Sequence, residues 1–257
     1  MRAELTLSLS SLYGFLLVLT RVGGALIFVP LPGVKQGPEL ARAALALSFT
    51  IVLFPSWPEI GKVPETGQLA GWLILEAALG ILIGLAVSFV TEAFLMMAQV
   101  VGLPAGFAYA SIVDPQTQAD SGVLLVFAQL TAGMLFFAIG LDREILRIFA
   151  RSLQTCPPGR VVLSGEAAQA VVRLGAGMFS TGLRLAMPVL ALLLLVDIAL
   201  ALLGRLNAQL QLLTLSFPIK MLAAVVVLAW TAVLFPRIYA GYSEQTLRVV
   251  GELIGGR

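Results

Sequence analysis

Five charged side chains lie within otherwise apolar stretches of this 257-residue chain, and they are the residues most able to carry chemistry. A lone charge in an apolar helix costs about 2.5–3.5 kcal/mol on membrane-insertion scales, so such residues usually pair, fix an assembly or line an ion path. The five are scattered rather than clustered in one segment, which favours interhelical pairing that fixes assembly over a proton or ion path. They are Arg21, Glu76, Glu92, Asp197 and Lys220.

The absence of histidine from the sequence excludes several other kinds of site. With one cysteine, Cys156, and no histidine, the chain has no material for a zinc site, for histidine acid–base catalysis or for an intrachain disulfide. Carboxylate or Ser–Lys chemistry would still be possible, but no such residues have a spacing that suggests it. We therefore expect no enzyme activity, no metal and no cofactor.

Composition places the chain in a membrane or in an equally apolar assembly. Apolar residues make up 59% of the chain and charged residues 12%, whereas globular proteins have about 25% charged residues. The formal net charge of +2 is too small to suggest a nucleic-acid partner. The predicted fold is all-α, with polytopic hydrophobic helices, some of them kinked or broken, around a central irregular loop and with an antiparallel helical hairpin at the end.

The apolar runs differ greatly in length. Ala41–Phe54 is short for a bilayer core, which takes about 20 residues, whereas Leu69–Val101 would reach roughly 50 Å as one helix. The longer run must protrude, kink or form two segments. Prolines predict a kink at Pro188, a break at Pro218 and a helix end at Pro236.

Small residues recur every four positions in the long run, in the series Glu76, Gly80, Gly84, Ser88 and Glu92. Residues four apart share one face of a helix, and small residues on that face let another backbone approach closely. Gly80 and Gly84 are therefore predicted to be helix-packing positions. The two glutamates belong either to interhelical pairs or to the ends of the helix, where a charge costs little.

Asp197 and Lys220 are predicted to form an ion pair. If the last two apolar runs form an antiparallel hairpin with its turn near Ala208 and Gln209, the two charges lie at the same level. Pairing would relieve the cost of each isolated charge.

The stretch 102–122 differs from the apolar runs on both sides of it. Its glycines and prolines disfavour a continuous helix, it contains no lysine or arginine, and its apolar side chains are unusual for a linker. An exterior surface loop is the alternative, but irregular backbone at membrane depth must be buried in protein or face water. We predict a buried plug that closes a channel, with these residues forming it: Gly102, Gly106, Phe107, Tyr109, Ser111, Ile112, Val113, Asp114, Pro115 and Gln116.

Arginines are concentrated just after the fourth apolar run. Four of them fall between positions 143 and 160, against none between 102 and 122, so the positive-inside rule places 143–160 in the cytoplasm if Val123–Leu141 crosses the membrane. Arg143, Arg147 and Arg151 are predicted to line a solvated side of a helix that faces lipid headgroups. A partner subunit at this side is the alternative.

The joint order of these features resembles the FliR/SctT family of the flagellar and type III secretion export apparatus, from about Phe15 to Pro236. Each motif alone is weak evidence for the family, but the order of the motifs along the chain is specific to it. The matching residues are Arg21, Gly23, Pro30, Arg42, Leu45, Ala46, Leu47, Pro55, Glu76, Gly80, Gly84, Gly102, Gly106, Phe107, Ala108, Ser111, Asp114, Pro115, Gln116, Leu193, Leu194, Leu195, Asp197, Arg205, Phe217, Pro218 and Lys220.

The resemblance implies a structural, channel-forming subunit with no chemistry of its own. One copy would join several FliP-like and FliQ-like subunits, and FlhB-like and FlhA-like export proteins, at the bacterial inner membrane in the flagellar basal body. Residues 1–257 would form one integral domain, with 1–184 FliP-like and 185–257 a FliQ-like hairpin and tail. Unfolded proteins would pass through the channel. A virulence-type SctT subunit and a stand-alone secondary transporter are the alternatives.

Overall fold

The computed structural model describes residues 9–30, 39–57, 66–107, 122–160, 165–206 and 212–255. Within these ranges the chain is helical and contains no strand, so the predicted all-α fold is confirmed. Short 3₁₀ turns lie at Phe54–Ser56 and Ala232–Leu234. In chain order the helices are α1 (Leu9–Leu26), α2 (Glu39–Val52), α3 (Thr66–Gly102), α4 (Val123–Ala138), α5 (Leu141–Thr155), α6 (Gly165–Leu206), α7 (Leu212–Thr231) and α8 (Phe235–Gly255).

The long third apolar run is one helix. Helix α3 has 37 residues, which at 1.5 Å per residue gives about 55 Å, well beyond the roughly 30 Å of a bilayer core. It contains no proline, and the first one after it, Pro104, follows its last residue by two positions. The run therefore does not form two segments, and one helix of this length is longer than the bilayer core.

The predicted break at Pro218 is wrong, and the kink predicted at Pro188 stays a prediction. Helix α6 continues through Pro188 and α7 continues through Pro218. A proline in a helix interior removes one backbone hydrogen bond, but helices of 42 and 20 residues keep many others. Pro236 stands in the first turn of α8, where its missing amide proton has no intrahelical acceptor to lose.

The chain divides into two compact units. The first consists of residues 1–89, 136–175 and 243–257, and the second of 90–135 and 176–242. Helices α3, α4, α6 and α8 each contribute residues to both units. The predicted division into residues 1–184 and 185–257 rests on a likeness to two partner proteins and stays a prediction.

In the first unit, α1 packs against α2 and α3, and the apolar side of α5 is buried. Leu17, Val18 and Val22 on α1 are almost completely buried. Helix α5 buries residues at helical spacing, beginning with Leu141 and Ile145, while its other side is charged. This amphipathic pattern explains why α5 lies against a core on one side only.

In the second unit, an aromatic group joins α3 to α8. The Phe94 ring contacts Phe235 edge-on at 5.5 Å between centroids and Tyr239 at 5.1 Å. The Tyr239 hydroxyl also shares a 3.2 Å hydrogen bond with that of Thr91. A Cβ on Gly182 of α6 would be 2.8 Å from the Ala93 carbonyl oxygen, so α6 and α3 approach closely here.

Three helical segments are long and apolar enough to cross a membrane, and a bent pair, α4 with α5, would add a fourth. The most apolar window of each is covered to a different degree by the chain itself. The buried share is 50% in Gly67–Gly102, 28% in Gly165–Leu206 and 11% in Ser216–Ile254. The last two therefore present much apolar surface that lipid or another protein must cover.

Candidate functional site

Arg21 and Glu76 form a completely buried ion pair in the first unit. Arg21 Nε donates to Glu76 Oε2 at 2.6 Å, and neither side chain is accessible to solvent. Helix α1 supplies the arginine and α3 the glutamate. Glu76 is therefore an interhelical partner, ten residues after the start of α3.

The remaining guanidinium nitrogens of Arg21 bind the carboxyl-terminal end of α5. Nη1 donates to the Ser152 carbonyl oxygen at 2.9 Å and to Ser152 Oγ at 3.2 Å, and Nη2 donates to the Cys156 carbonyl oxygen at 2.9 Å. The last carbonyls of a helix lack intrahelical donors and carry partial negative charge. The Ser152 carbonyl oxygen also accepts the Cys156 amide at 3.0 Å, so Arg21 adds a second donor there, a donor for the Cys156 carbonyl and a positive charge at the helix end.

Glu76 holds the turn that follows α5. Its second oxygen, Oε1, accepts a hydrogen bond from the Gly159 amide at 2.9 Å. The Trp72 ring lies against the same glycine, because a Cβ there would be 3.2 Å from Trp72 Cδ2. We call Arg21, Glu76, Ser152, Cys156 and Gly159 the Arg21 network. It ties α1, α3 and the end of α5 together.

The two charged side chains of the Arg21 network make hydrogen bonds through all of their polar atoms. Both Glu76 oxygens accept hydrogen bonds, and all three guanidinium nitrogens of Arg21 donate. Among the described residues, every buried side-chain nitrogen and oxygen has a partner. These hydrogen bonds hold α1, α3 and the end of α5 in one fixed arrangement.

The only cysteine of the chain lies at the edge of this network. Burial raises the pKa of the Cys156 thiol, while the Arg21 charge lowers it and the Glu76 charge raises it again. A thiol with a raised pKa is a weak nucleophile at neutral pH. Within the described residues, no group of three or more metal-ligating side chains lies together.

Gly80 and Gly84 bring the backbones of α1 and α3 into contact. A Cβ at Gly80 would collide with the Arg21 carbonyl oxygen, and one at Gly84 would collide with that of Ala25. Gly24 approaches α3 in the same way, since its Cβ would be 2.7 Å from the Ala77 carbonyl oxygen. The glycines permit the close approach that places Arg21 beside Glu76.

Asp197 of α6 and Lys220 of α7 form the predicted ion pair, in the second unit. Lys220 Nζ contacts Asp197 Oδ1. The Lys220 side chain is 18% exposed and that of Asp197 49% exposed, so one side of the pair is open. Glu92, on α3, is half-buried. That these charges serve assembly stays a prediction.

The first three residues of the predicted plug are described. Gly102 ends α3, Gly106 is buried and Phe107 is half-buried. Gly106 has a φ of 88° and lies against α7, where its Cβ would be 3.0 Å from Phe217 Cδ1. The other predicted plug residues lie outside the described residues: Tyr109, Ser111, Ile112, Val113, Asp114, Pro115 and Gln116.

Sequence reasoning did not find Ser152, Gly159 and Trp72 as neighbours of the charged pair. Ser152 could have been suspected, because it stands on the otherwise apolar face of α5 with Ile145 and Phe149. A polar residue on a buried face usually bonds a buried partner. No local signal identifies Gly159 or Trp72, since their contacts depend on how separate helices meet.

The chain matches the family described as "Bacterial export proteins, family 1" over residues 12–246. This match covers α1 to most of α8 and includes the Arg21 network, the Asp197–Lys220 pair and the stretch 102–122.

Several known proteins are similar to this chain over most of their length. The flagellar biosynthetic protein FliR of Escherichia coli is 28% identical over 212 residues, which are 82% of this chain and 81% of that protein. FliR of Caulobacter vibrioides is 26% identical over 83% of this chain and 86% of the relative. The secretion system apparatus protein SsaT of Salmonella typhimurium is 25% identical over 78% of both chains.

Proposed function

Because the chain belongs to family 1 of the bacterial export proteins, we propose that it is a structural, channel-forming subunit of a flagellar type III protein export apparatus. The observation that carries this proposal is the match over residues 12–246 together with relatives named FliR in several bacteria. The subunit has no chemistry of its own. It helps form and close the passage for unfolded proteins.

The proposed complex explains the poorly covered helices. In the windows of Gly165–Leu206 and Ser216–Ile254, 72% and 89% of the residues are not buried by the chain, since the buried shares are 28% and 11%. Asp197 lies among exposed leucines such as Leu194 and Leu195, in a place where lipid tails would leave its open side unsolvated. Neighbouring subunits would cover this surface and supply polar contacts.

We place the chain in the inner membrane, in the basal body of the flagellum, with FliP-like, FliQ-like, FlhB-like and FlhA-like proteins. In this arrangement the part up to residue 184 packs like the first partner and the part from 185 packs like the second. The stretch 102–122 closes the channel at rest. The position of Gly106 against Phe217 supports an ordered start of that stretch.

The test is the mass of the particle that the full-length chain forms. The tagged chain is purified in mild detergent from cells that express the whole export gene set, and its intact mass is measured by native mass spectrometry. We expect one large particle of fixed composition that contains two smaller hydrophobic proteins. A lone monomer or dimer that binds a small solute would contradict the proposal and support a secondary transporter.

A virulence-type export subunit is the second candidate, favoured by the 25% identity to SsaT. Cross-complementation separates the two. We expect the chain to restore swimming to a strain that lacks its own flagellar relative, and not to restore secretion to a strain that lacks an SsaT-like subunit. The reverse pattern would assign the chain to the virulence branch.

A further inference from the structure

The exposed side of α5 carries a row of three arginines. Arg143, Arg147 and Arg151 follow one another at intervals of four residues, and all three are exposed. Residues at this spacing share one side of a helix. The opposite side is buried in the first unit through Leu141, Ile145, Phe149, Ser152 and Leu153. We call Arg143, Arg147 and Arg151 the arginine row.

Two acids share α5 with the row, so the three arginines leave this helix a formal net charge of +1. Asp142 and Glu144 lie in the first turn of α5, where negative charge is favourable because of the helix dipole. Glu144 pairs with Arg147, but the Arg147 side chain remains 73% exposed. Beyond the first turn α5 has no acid, and the exposed Arg160 follows it in the chain.

An exposed apolar helix leads directly into the row. Leu130, Met134 and Phe137 on α4 are 64%, 74% and 52% exposed, and α4 ends at Ala138. Gly140, with a φ of 75°, separates α4 from α5, and Arg143 follows three residues later. Basic residues immediately after an apolar membrane helix are the sequence pattern that binds anionic lipid headgroups.

The Arg21 network holds the row in place. It fastens the end of α5 through the carbonyls of Ser152 and Cys156, next to Arg151. A charged row on an anchored helix loses less conformational freedom when it binds than a row on a free segment.

We propose that the arginine row binds the phosphates of anionic lipid headgroups, such as those of phosphatidylglycerol, at the surface of the membrane. Lipid is favoured over free phosphate because, in the sequence, the row begins five residues after the apolar helix α4 ends, which is the pattern of a basic segment at a membrane surface. Arginine binds phosphate well because its planar group donates two parallel hydrogen bonds.

The test measures lipid binding to the full-length chain in detergent, with the subunits that co-purify. The particle is stripped of lipid and titrated with phosphatidylglycerol or phosphatidylcholine, and bound lipids are counted by native mass spectrometry. At about 1 kcal/mol per basic residue, replacing all three arginines (R143Q, R147Q and R151Q) is expected to weaken phosphatidylglycerol binding at least tenfold. Phosphatidylcholine binding stays unchanged.

A matched control removes the same charge elsewhere. The exposed residues Arg173, Arg205 and Arg248 are replaced by glutamine, and binding is expected to stay within twofold of the parent. Replacing the row by lysine keeps the charge and should preserve most of the binding. If the triple variant does not assemble, R147Q and R151Q are measured singly, each with an expected loss of about threefold to fivefold.

Three outcomes would overturn the proposal. The row variant could retain full affinity for phosphatidylglycerol. The control could lose as much affinity as the row, which would show only a general effect of charge. Inorganic phosphate at an equal concentration could displace the lipid completely, which would identify a site for soluble anions.

Discussion

At the scale of single residues, Arg21 shows how a charge can be completely buried in an apolar chain. Its guanidinium donates to Glu76 and to the carbonyl oxygens of Ser152 and Cys156, so both charge and hydrogen-bonding capacity are matched. The free-energy cost of desolvating such a pair is large, and removing one member leaves the other charge buried without a partner.

Replacing Arg21 by methionine should therefore destabilise the protein by about 3–5 kcal/mol, because Glu76 loses its partner in a buried site. The measurement is the free energy of unfolding in detergent. The control is Glu144→Gln, which removes the exposed pair with Arg147 and should cost less than about 1 kcal/mol.

Adding Glu76→Leu to Arg21→Met should cost less than the sum of the two single changes, because the double variant contains no unpaired buried charge. A coupling below about 0.5 kcal/mol would contradict the view that the pair acts as a unit.

The Asp197–Lys220 pair allows a charge-swap test. Asp197→Lys or Lys220→Asp alone places two like charges in contact and should reduce assembly of the particle. The combined swap should restore at least half of the assembled particle, measured by native gel and mass. If the combined swap assembles no better than either single variant, the ion pair between Asp197 and Lys220 does not support assembly.

At the scale of helices, glycines determine which backbones can touch. Gly80 and Gly84 leave room for the carbonyl oxygens of Arg21 and Ala25, so α1 and α3 pack at a distance that no larger residue permits. This contact and the Arg21 network depend on each other, because the short ion pair requires the close approach of the two helices.

Gly80→Ala should destabilise the protein by about 1–3 kcal/mol, since backbone atoms cannot move aside as side chains can. Gly23→Ala on α1 is the matched control, because a Cβ there meets nothing within 4 Å. That control should be neutral or stabilising by up to about 1 kcal/mol, as alanine favours helix more than glycine. Thermal unfolding measures both, and equal effects would refute the packing argument.

At the scale of the whole molecule, the chain covers its apolar helices unevenly. Windows that are 50%, 28% and 11% buried belong to segments of similar apolar character. A chain that covers only one of its long helices well is suited to an assembly, in which neighbours cover the other two.

Deleting Ala108–Val113 should make membranes leak ions while the particle still forms, if the stretch 102–122 closes the channel. Conductance of the purified particle in planar bilayers measures the leak, and the intact mass serves as the control for assembly. An assembled particle with unchanged conductance would refute the plug.

The sequence alone determined the helical class, the family resemblance and the pairing of Asp197 with Lys220. The helical class follows from composition, the family resemblance from the order of short motifs, and the ion pair from the equal distances of both residues from one turn. Each can be read from the sequence without knowing how separate helices pack. The continuity of α7 through Pro218 was not predicted, because the sequence shows that a proline removes one backbone hydrogen bond but not whether the other bonds keep the helix intact.

Only the tertiary structure decided that Arg21 and Glu76 share one network with Ser152, Cys156 and Gly159. These residues are separated by 55 to 135 positions in most of their contacts, and no periodicity relates them. Their meeting depends on three helix surfaces fitting together through glycines, and that fit is a property of packing in space rather than of any one segment.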